Sequence, residues 1–136
     1  MGWGPSYSKV AGGNILASSF VKLDTGNDGQ ALQCGSGDVP FGISFPGSDA
    51  PPFGGLDTPY CAILNENVGI YGPPDVNVLL QISATVAVGN HLKPDTNGFG
   101  TPITGTSDIY GAVAAESGVS GQIIRVNVVP AGTGLW

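Results

Sequence analysis

The chain has 136 residues, a net charge of −6 carried against only four basic side chains, and 10% charged residues, well below the roughly 25% of an ordinary soluble domain. That length suits one compact domain. With cations so scarce there is no basic footprint to displace counterions from nucleic acid or to hold an anionic membrane surface.

Glycine and proline number 23 and 11, a content that approaches the composition of disordered chains. The apolar runs between them are long, β-branched and regularly spaced, so the glycines and prolines read as turns between short strands. Residues 1–13 read as an N-terminal arm, whose Trp3 and Tyr7 are candidates to anchor it on a neighbour, because an aromatic ring in a pocket concentrates binding energy. Met1-Gly2-Trp3-Gly4-Pro5-Ser6 fits the N-myristoylation pattern, which short sequences match by chance. No apolar h-region of a secretion signal follows. Ile15–Leu23 is the first apolar run. Val39–Phe45 is a short second strand bounded by Pro40 and Pro46. Val76–Val88 is the strongest run, and its alternating part suits a half-buried strand. Ile109–Ala115 and Gln122–Val129 complete the set, the last with Arg125 and Asn127 facing out. Asn27-Asp28-Gly29, Ser36-Gly37-Asp38, Gly72-Pro73-Pro74 and Asn97-Gly98 punctuate the runs as turns. No segment joins helical periodicity to helix formers and caps, and Ala112–Glu116 has room for one turn of helix at most. No apolar run approaches the roughly 20 residues of a membrane span.

The chain repeats itself. Ile15-Leu16-Ala17-Ser18-Ser19-Phe20-Val21-Lys22-Leu23-Asp24-Thr25 aligns with Val86-Ala87-Val88-Gly89-Asn90-His91-Leu92-Lys93-Pro94-Asp95-Thr96, and a Gly-bearing turn follows both. Asp38-Val39-Pro40-Phe41-Gly42 then parallels Asp108-Ile109-Tyr110-Gly111, and closing strands are expected near Val76–Leu80 and Ile123–Val129. Two related halves, about 14–80 and 81–136, are therefore expected to pack as one β domain, the first carrying a Pro/Gly-rich insertion at about 46–72. Each half has too few strands to bury its own faces, so the expected fold is all-β: a small tulip-like β-barrel or β-sandwich with pseudo-twofold internal repetition and little or no helix.

These elements resemble the capsid decoration (cement) proteins of tailed phages. In that family a hydrophobic-Lys-hydrophobic-Asp strand enters a Gly turn, then a hydrophobic-Gly-hydrophobic strand, a Gly-rich connection and a final Val-rich strand. Here those elements are Val21-Lys22-Leu23-Asp24, Phe41-Gly42-Ile43, Leu92-Lys93-Pro94-Asp95, Tyr110-Gly111-Ala112, Gly118-Val119-Ser120-Gly121 and Ile124–Val129. Pro94, where the family has an apolar strand residue, and the long insertion are the departures. The resemblance implies a non-enzymatic virion protein with no cofactor, a homotrimer on the outer capsid surface. It would bind the major capsid protein of the expanded shell and bridge neighbouring subunits. A ligand that binds only the expanded lattice stabilises that lattice by linkage. Besides Trp3 and Tyr7, the candidate contact residues are Phe53, Leu56 and Tyr60 of the insertion and Trp136 at the end of the sequence. A carbohydrate- or receptor-binding β module of a virion is the alternative that the β architecture and aromatics also accommodate.

Chemical motifs are sparse. Asp24-Thr25-Gly26 matches the signature of retroviral-type aspartic proteases, in which two carboxyls share a proton. A turn, Asn27-Asp28-Gly29-Gln30, follows it where the enzymes continue into a strand, and the second half repeats Asp95-Thr96 without the glycine. A strand ending in an Asx-type turn is the plainer reading. Asp24 and Asp28 do not reproduce a calcium loop, whose twelfth position would fall on Gly35. His91, the only histidine, aligns with Phe20 and reads as a packing position. Cys34 and Cys61 have no metal-ligand spacing and are expected as free, buried thiols, although an oxidising compartment would also permit a disulfide. No catalytic or metal-ligating constellation is expected.

Overall fold

The structure, a computed structural model, describes residues 7–26, 29–44, 60–62, 65–73, 75–105 and 108–133. Twelve strands follow one another in these residues: β1 (Tyr7–Ala11), β2 (Ile15–Leu16), β3 (Phe20–Leu23), β4 (Gln30–Gln33), β5 (Gly42–Ser44), β6 (Tyr60–Ala62), β7 (Asn67–Tyr71), β8 (Val78–Gln81), β9 (His91–Pro94), β10 (Gly100–Pro102), β11 (Ile109–Ala114) and β12 (Ile123–Thr133). The all-β expectation holds, and no helix occurs among the described residues. Five strands close a barrel in the order β1-β4-β3-β5-β7, and a second, five-stranded sheet runs β10-β9-β11-β12-β8. β2 and β6 form a separate two-stranded ribbon. All barrel pairs are antiparallel except β1 with β4.

Side-chain alternation along β3 explains why barrel and sheet form one body. Successive residues of a strand point to opposite faces. Val21 points into the barrel and joins Ala11, Ile15, Ala31, Val68 and Ile70. Its neighbour Phe20 points out of the barrel and meets Leu80, Leu92, Ala112 and Val126 of the second sheet. Both are fully buried. Ile43 on β5 and Cys34 after β4 join Phe20 in this second core. The barrel wall on this side is thus buried on both faces, and the second sheet serves as its cover.

The internal repeat is visible in the ladders. β3 pairs with β4 and β5 as β9 pairs with β10 and β11. Phe20 faces Ile43 across the first ladder, and its counterpart His91 faces Val113 across the second. The ladders align Ile43 with Val113, which places Gly42 opposite the position of Ala112 rather than Gly111. A β-bulge between Tyr110 and Ala112 absorbs the one-residue difference.

Several expectations are corrected. Residues 7–11, expected in a free arm, form the barrel stave β1, which hydrogen-bonds to β7 along four residue pairs and so closes the barrel. The segment expected as an insertion contains β7, another stave; its Val68 and Ile70 alternate inward with polar or small neighbours. Val76–Leu80 does not close the first half: β8 pairs with β12, at the edge of the second sheet. The long Val76–Val88 run is a strand only over Val78–Gln81, after which Ile82 and Val86 make isolated bridges. Ala112–Ala114, a candidate helical turn, lies in β11. β4 and β10 escaped notice because Gln-Ala-Leu-Gln and Gly-Thr-Pro are too short and too polar or turn-like to show a period.

The two halves meet through close backbone approaches. The Phe20 N–H donates to the Gly98 carbonyl at 2.7 Å. Gly98 adopts φ +86°, and a Cβ there would stand 3.1 Å from the carbonyl oxygens of both Phe20 and Cys34. Gly111 lies against Pro40, whose Cγ would be 2.6 Å from a Cβ at that position.

The Ile15–Leu23 run breaks into β2 and β3 at Ser18, which takes a left-handed φ of 52°. Its counterpart in the repeat is Gly89, with φ of 91°. The Ser18 side chain is buried and its hydroxyl has no hydrogen-bond partner. Left-handed strain and an unsatisfied buried hydroxyl each cost on the order of 1–3 kcal/mol, while glycine returns about 0.5–1 kcal/mol to the unfolded chain as entropy. Ser18→Gly is therefore expected to raise the unfolding free energy by about 1 kcal/mol in urea titration. An unchanged or lower value would show that the hydroxyl is satisfied in solution.

Candidate functional site

The repeat carries a duplicated ion pair that stands out in this charge-poor chain. Lys22 Nζ lies 3.0 Å from Asp38 Oδ2, and Lys93 Nζ lies 3.0 Å from Asp108 Oδ2. Each lysine sits mid-strand, on β3 or β9, and its aspartate lies 16 or 15 residues on, at the end of the turn that leads to β5 or β11. The same Oδ2 accepts backbone N–H groups that tie off the turn: Gly35 for Asp38, and Thr104 and Gly105 for Asp108. The turn also closes by its own backbone, Asp38 N–H to the Gly35 carbonyl and Asp108 N–H to the Gly105 carbonyl, both at 3.2 Å. The two turns are thus one design used twice.

The first-half turn and the second-half strand meet at a cleft of about 140 Å³, lined by Ser36, Gly37 and Asp38 on one side and Lys93, Pro94 and Asp108 on the other. The electrostatics hold both carboxylates ionised. The Gly35 N–H, and then Lys22, lower the pKa of Asp38. The Thr104 N–H, and then Lys93, bring Asp108 down to about 2. Neither carboxyl carries a proton to donate at neutral pH. Among the described residues no three His, Cys, Asp or Glu side chains converge as a metal site.

The sequence-level candidates are dispersed. Asp24 of the Asp-Thr-Gly match accepts the Gly26 N–H at 2.9 Å, and its counterpart Asp95 accepts those of Asn97 and Phe99 at 2.8 and 2.9 Å. Both carboxylates shape the turn that follows their strand. His91 packs edge-on against Tyr110, with centroids 4.5 Å apart. Cys34 is a free thiol in the second core, and burial, reinforced by the nearby Asp38 charge, pushes its pKa up to about 12. Tyr7 does not reach out from an arm: its ring packs edge-on against Phe41 at 4.9 Å and covers Gly72, with 39% of its surface exposed. Tyr60 lies on β6, whereas Trp3, Phe53, Leu56 and Trp136 lie outside the described residues. The Lys–Asp pairing was missed at the sequence level. Its signal was present in the repeat, since Lys22 and Lys93 align, as do Asp38 and Asp108.

No protein-family model matches the chain, and no curated protein matches it. Among solved structures it is similar to the head fiber gp8.5 N base in bacteriophage phi29, with a TM-score of 0.63 over 96% of each chain at 14% identity. At that identity the likeness is one of fold. It spans barrel and covering sheet together, so the whole two-part architecture is shared with a phage head protein.

Asp38 and Asp108 titrate lower in the folded chain than the ordinary 3.8. As pH falls the unfolded chain takes up those protons first, so stability that is complete above about pH 4 is lost as pH falls toward about 2. Asp108→Asn keeps an acceptor for the turn but removes the charge. Its melting temperature is expected below the parent's at about pH 6, with the gap closing near about pH 2; a pH-independent gap would mean that the charge contributes nothing. In a Cys61→Ser background, Cys34 is expected to react with a thiol reagent about a thousandfold more slowly when folded than in denaturant, given the shift from 9.0 to about 12. Equal rates would show that the second core opens readily.

Proposed function

We propose that this chain is a non-enzymatic structural protein of a phage virion that binds the outer surface of the expanded capsid, as a homotrimer, and stabilises the shell by bridging neighbouring capsid subunits. The observation that carries the reading is the fold likeness, over 96% of both chains, to a base domain of a phage head fiber. The duplicated Lys-x-Asp-Thr unit and its resemblance to capsid decoration proteins support the same reading. The engagement of Asp24 in its own turn favours a structural role over proteolysis. So does the ionised state of both cleft carboxylates.

A protein with this task gains from rigidity. Binding only the expanded lattice shifts the equilibrium toward it, and the shift grows as affinity rises. A closed barrel locked to a covering sheet loses little conformational entropy on docking. The experiment is to add purified protein to expanded shells of the virus that carries it, then image the shells and follow their thermal rupture. Added density at regular lattice points and a higher rupture temperature are expected, with a solution mass near three times 13.7 kDa by light scattering. Bare shells with an unchanged rupture temperature would sink the capsid role.

A further inference from the structure

The turn between β9 and β10 carries a pair of residues whose chemistry the proposed function does not use. Asn97 stands before Gly98, and no other asparagine of the chain precedes a glycine. Such a pair is chemically labile. The backbone nitrogen of the glycine attacks the side-chain carbon Cγ, the Cγ–Nδ2 bond breaks, and ammonia leaves with the displaced proton, closing a succinimide ring. Water then opens the ring at either carbonyl. One product is aspartate. The other is isoaspartate, whose main chain runs through Cγ and is longer by a methylene. Glycine favours the reaction because no side chain shields its nitrogen and its backbone turns freely. Asn97 is exposed, so base and water reach its amide.

The fold guards the attacking nitrogen. The Gly98 N–H donates to the Asp95 carbonyl at 3.1 Å, and Asp95 Oδ1 accepts the N–H groups of Asn97 and Phe99 at 2.8 and 2.9 Å. Attack requires the Gly98 nitrogen to lose its proton, and both its hydrogen bond and the adjacent carboxylate disfavour the negative charge that would form. Gly98 is itself buried, with φ of +86°, and its carbonyl accepts the Phe20 N–H at 2.7 Å, which ties the turn to β3. The ring therefore forms only when this joint opens locally. From this geometry we infer that Asn97 is a deamidation site sealed by the contact between the two layers, and that its conversion to isoaspartate loosens that contact irreversibly. The longer main chain has no place to go. Asp95 N–H is bonded to the Phe99 carbonyl at 2.9 Å across the turn. Gly98 has little room to shift, since a carbon added to it would stand 3.1 Å from the carbonyl oxygens of Phe20 and Cys34. The inference does not depend on the capsid role.

The test incubates the full chain in mildly alkaline buffer, folded and in guanidinium chloride, and maps residue 97 by mass spectrometry over time. Deamidation is expected to run about tenfold or more slower in the folded chain. Asp95→Ala, which releases the N–H groups of Asn97 and Phe99, is expected to speed the folded reaction and leave the denatured one unchanged. Reacted chains carry one more negative charge than the parent's −6 and separate by ion exchange. Their isoaspartyl fraction is expected to melt several degrees below Asn97→Asp, which has the same charge on an ordinary backbone. An Asn97 that stays intact in denaturant would overturn the site itself. Equal rates in the folded and denatured chains would overturn the sealing, as would a folded Asp95→Ala chain that reacts no faster than the parent. Equal melting temperatures for the isoaspartyl chain and Asn97→Asp would overturn the loosening.

Discussion

The arrangement depends on a strand that is buried on both faces. β3 places Val21 inside the barrel and Phe20 against the second sheet, and neither retains contact with solvent. The barrel core holds Ala11, Ala31 and Ala62 beside the larger Ile15, Val21, Val68 and Ile70. Phe20, Ile43 and Cys34 extend the barrel's apolar content outward, and burying a side chain such as Phe20 or Ile43 contributes about 1.5–3 kcal/mol. The covering sheet is where that burial happens, and so neither half of the molecule is a self-sufficient unit.

Duplication supplies the cover. Since β3-β4-β5 and β9-β10-β11 share a pairing scheme, one ancestral arrangement of three strands accounts for both layers. The copies have diverged where they meet. Ser18 on the barrel side must break the strand run, and it sends its carbonyl to the Gln81 N–H of β8; Gly89, its counterpart, sits in an exposed turn. Phe20 fills the inter-layer core where the second copy has His91, half-buried on Tyr110. Leu23 is exposed and its counterpart Pro94 is buried. What both copies keep is the Lys–Asp pair. Partly exposed ion pairs contribute little to stability. Their retention is better explained by geometry: one carboxylate oxygen gathers the lysine and the turn's N–H groups, which fixes the entry into β5 or β11.

How much of this is legible in the sequence depends on how far each signal reaches. The β class, the duplication and the turn role of Asp24 follow from period-two runs and from residues a few positions apart, and all three appear in the structure. The barrel's closure does not. β1 owes its place to β7, some 60 residues away, and Tyr-Ser-Lys-Val-Ala has no alternation strong enough to announce a strand. β7 was hidden because its Asn-Val-Gly-Ile-Tyr lies in a stretch read as an insertion on Pro and Gly content. The assignment of β8 to the first half failed for a different reason: a strand's hydrophobic pattern says which face is buried but not which partner buries it. The ion pairs follow the same rule, since alignment of the repeats marks the residues while only the fold brings Lys22 to Asp38.

The same topology limits how the protein can meet a neighbour. A closed barrel presents no free strand edge. The second sheet has two edge strands, and the chain occupies part of each: Ser83 donates to the Gly100 carbonyl at β10, and Ser18 accepts from Gln81 at β8. Pro102 further blunts β10, lacking a donor. Addition of a foreign strand is therefore disfavoured at both ends of the sheet. Cationic side chains offer little purchase either, because Lys22 and Lys93, two of the four basic residues, are already paired within the chain. Recognition is left to side chains on turns and on the rims of the barrel. The closed barrel and the partly occupied edges of the second sheet thus leave little of these two layers open to pairing with a foreign strand.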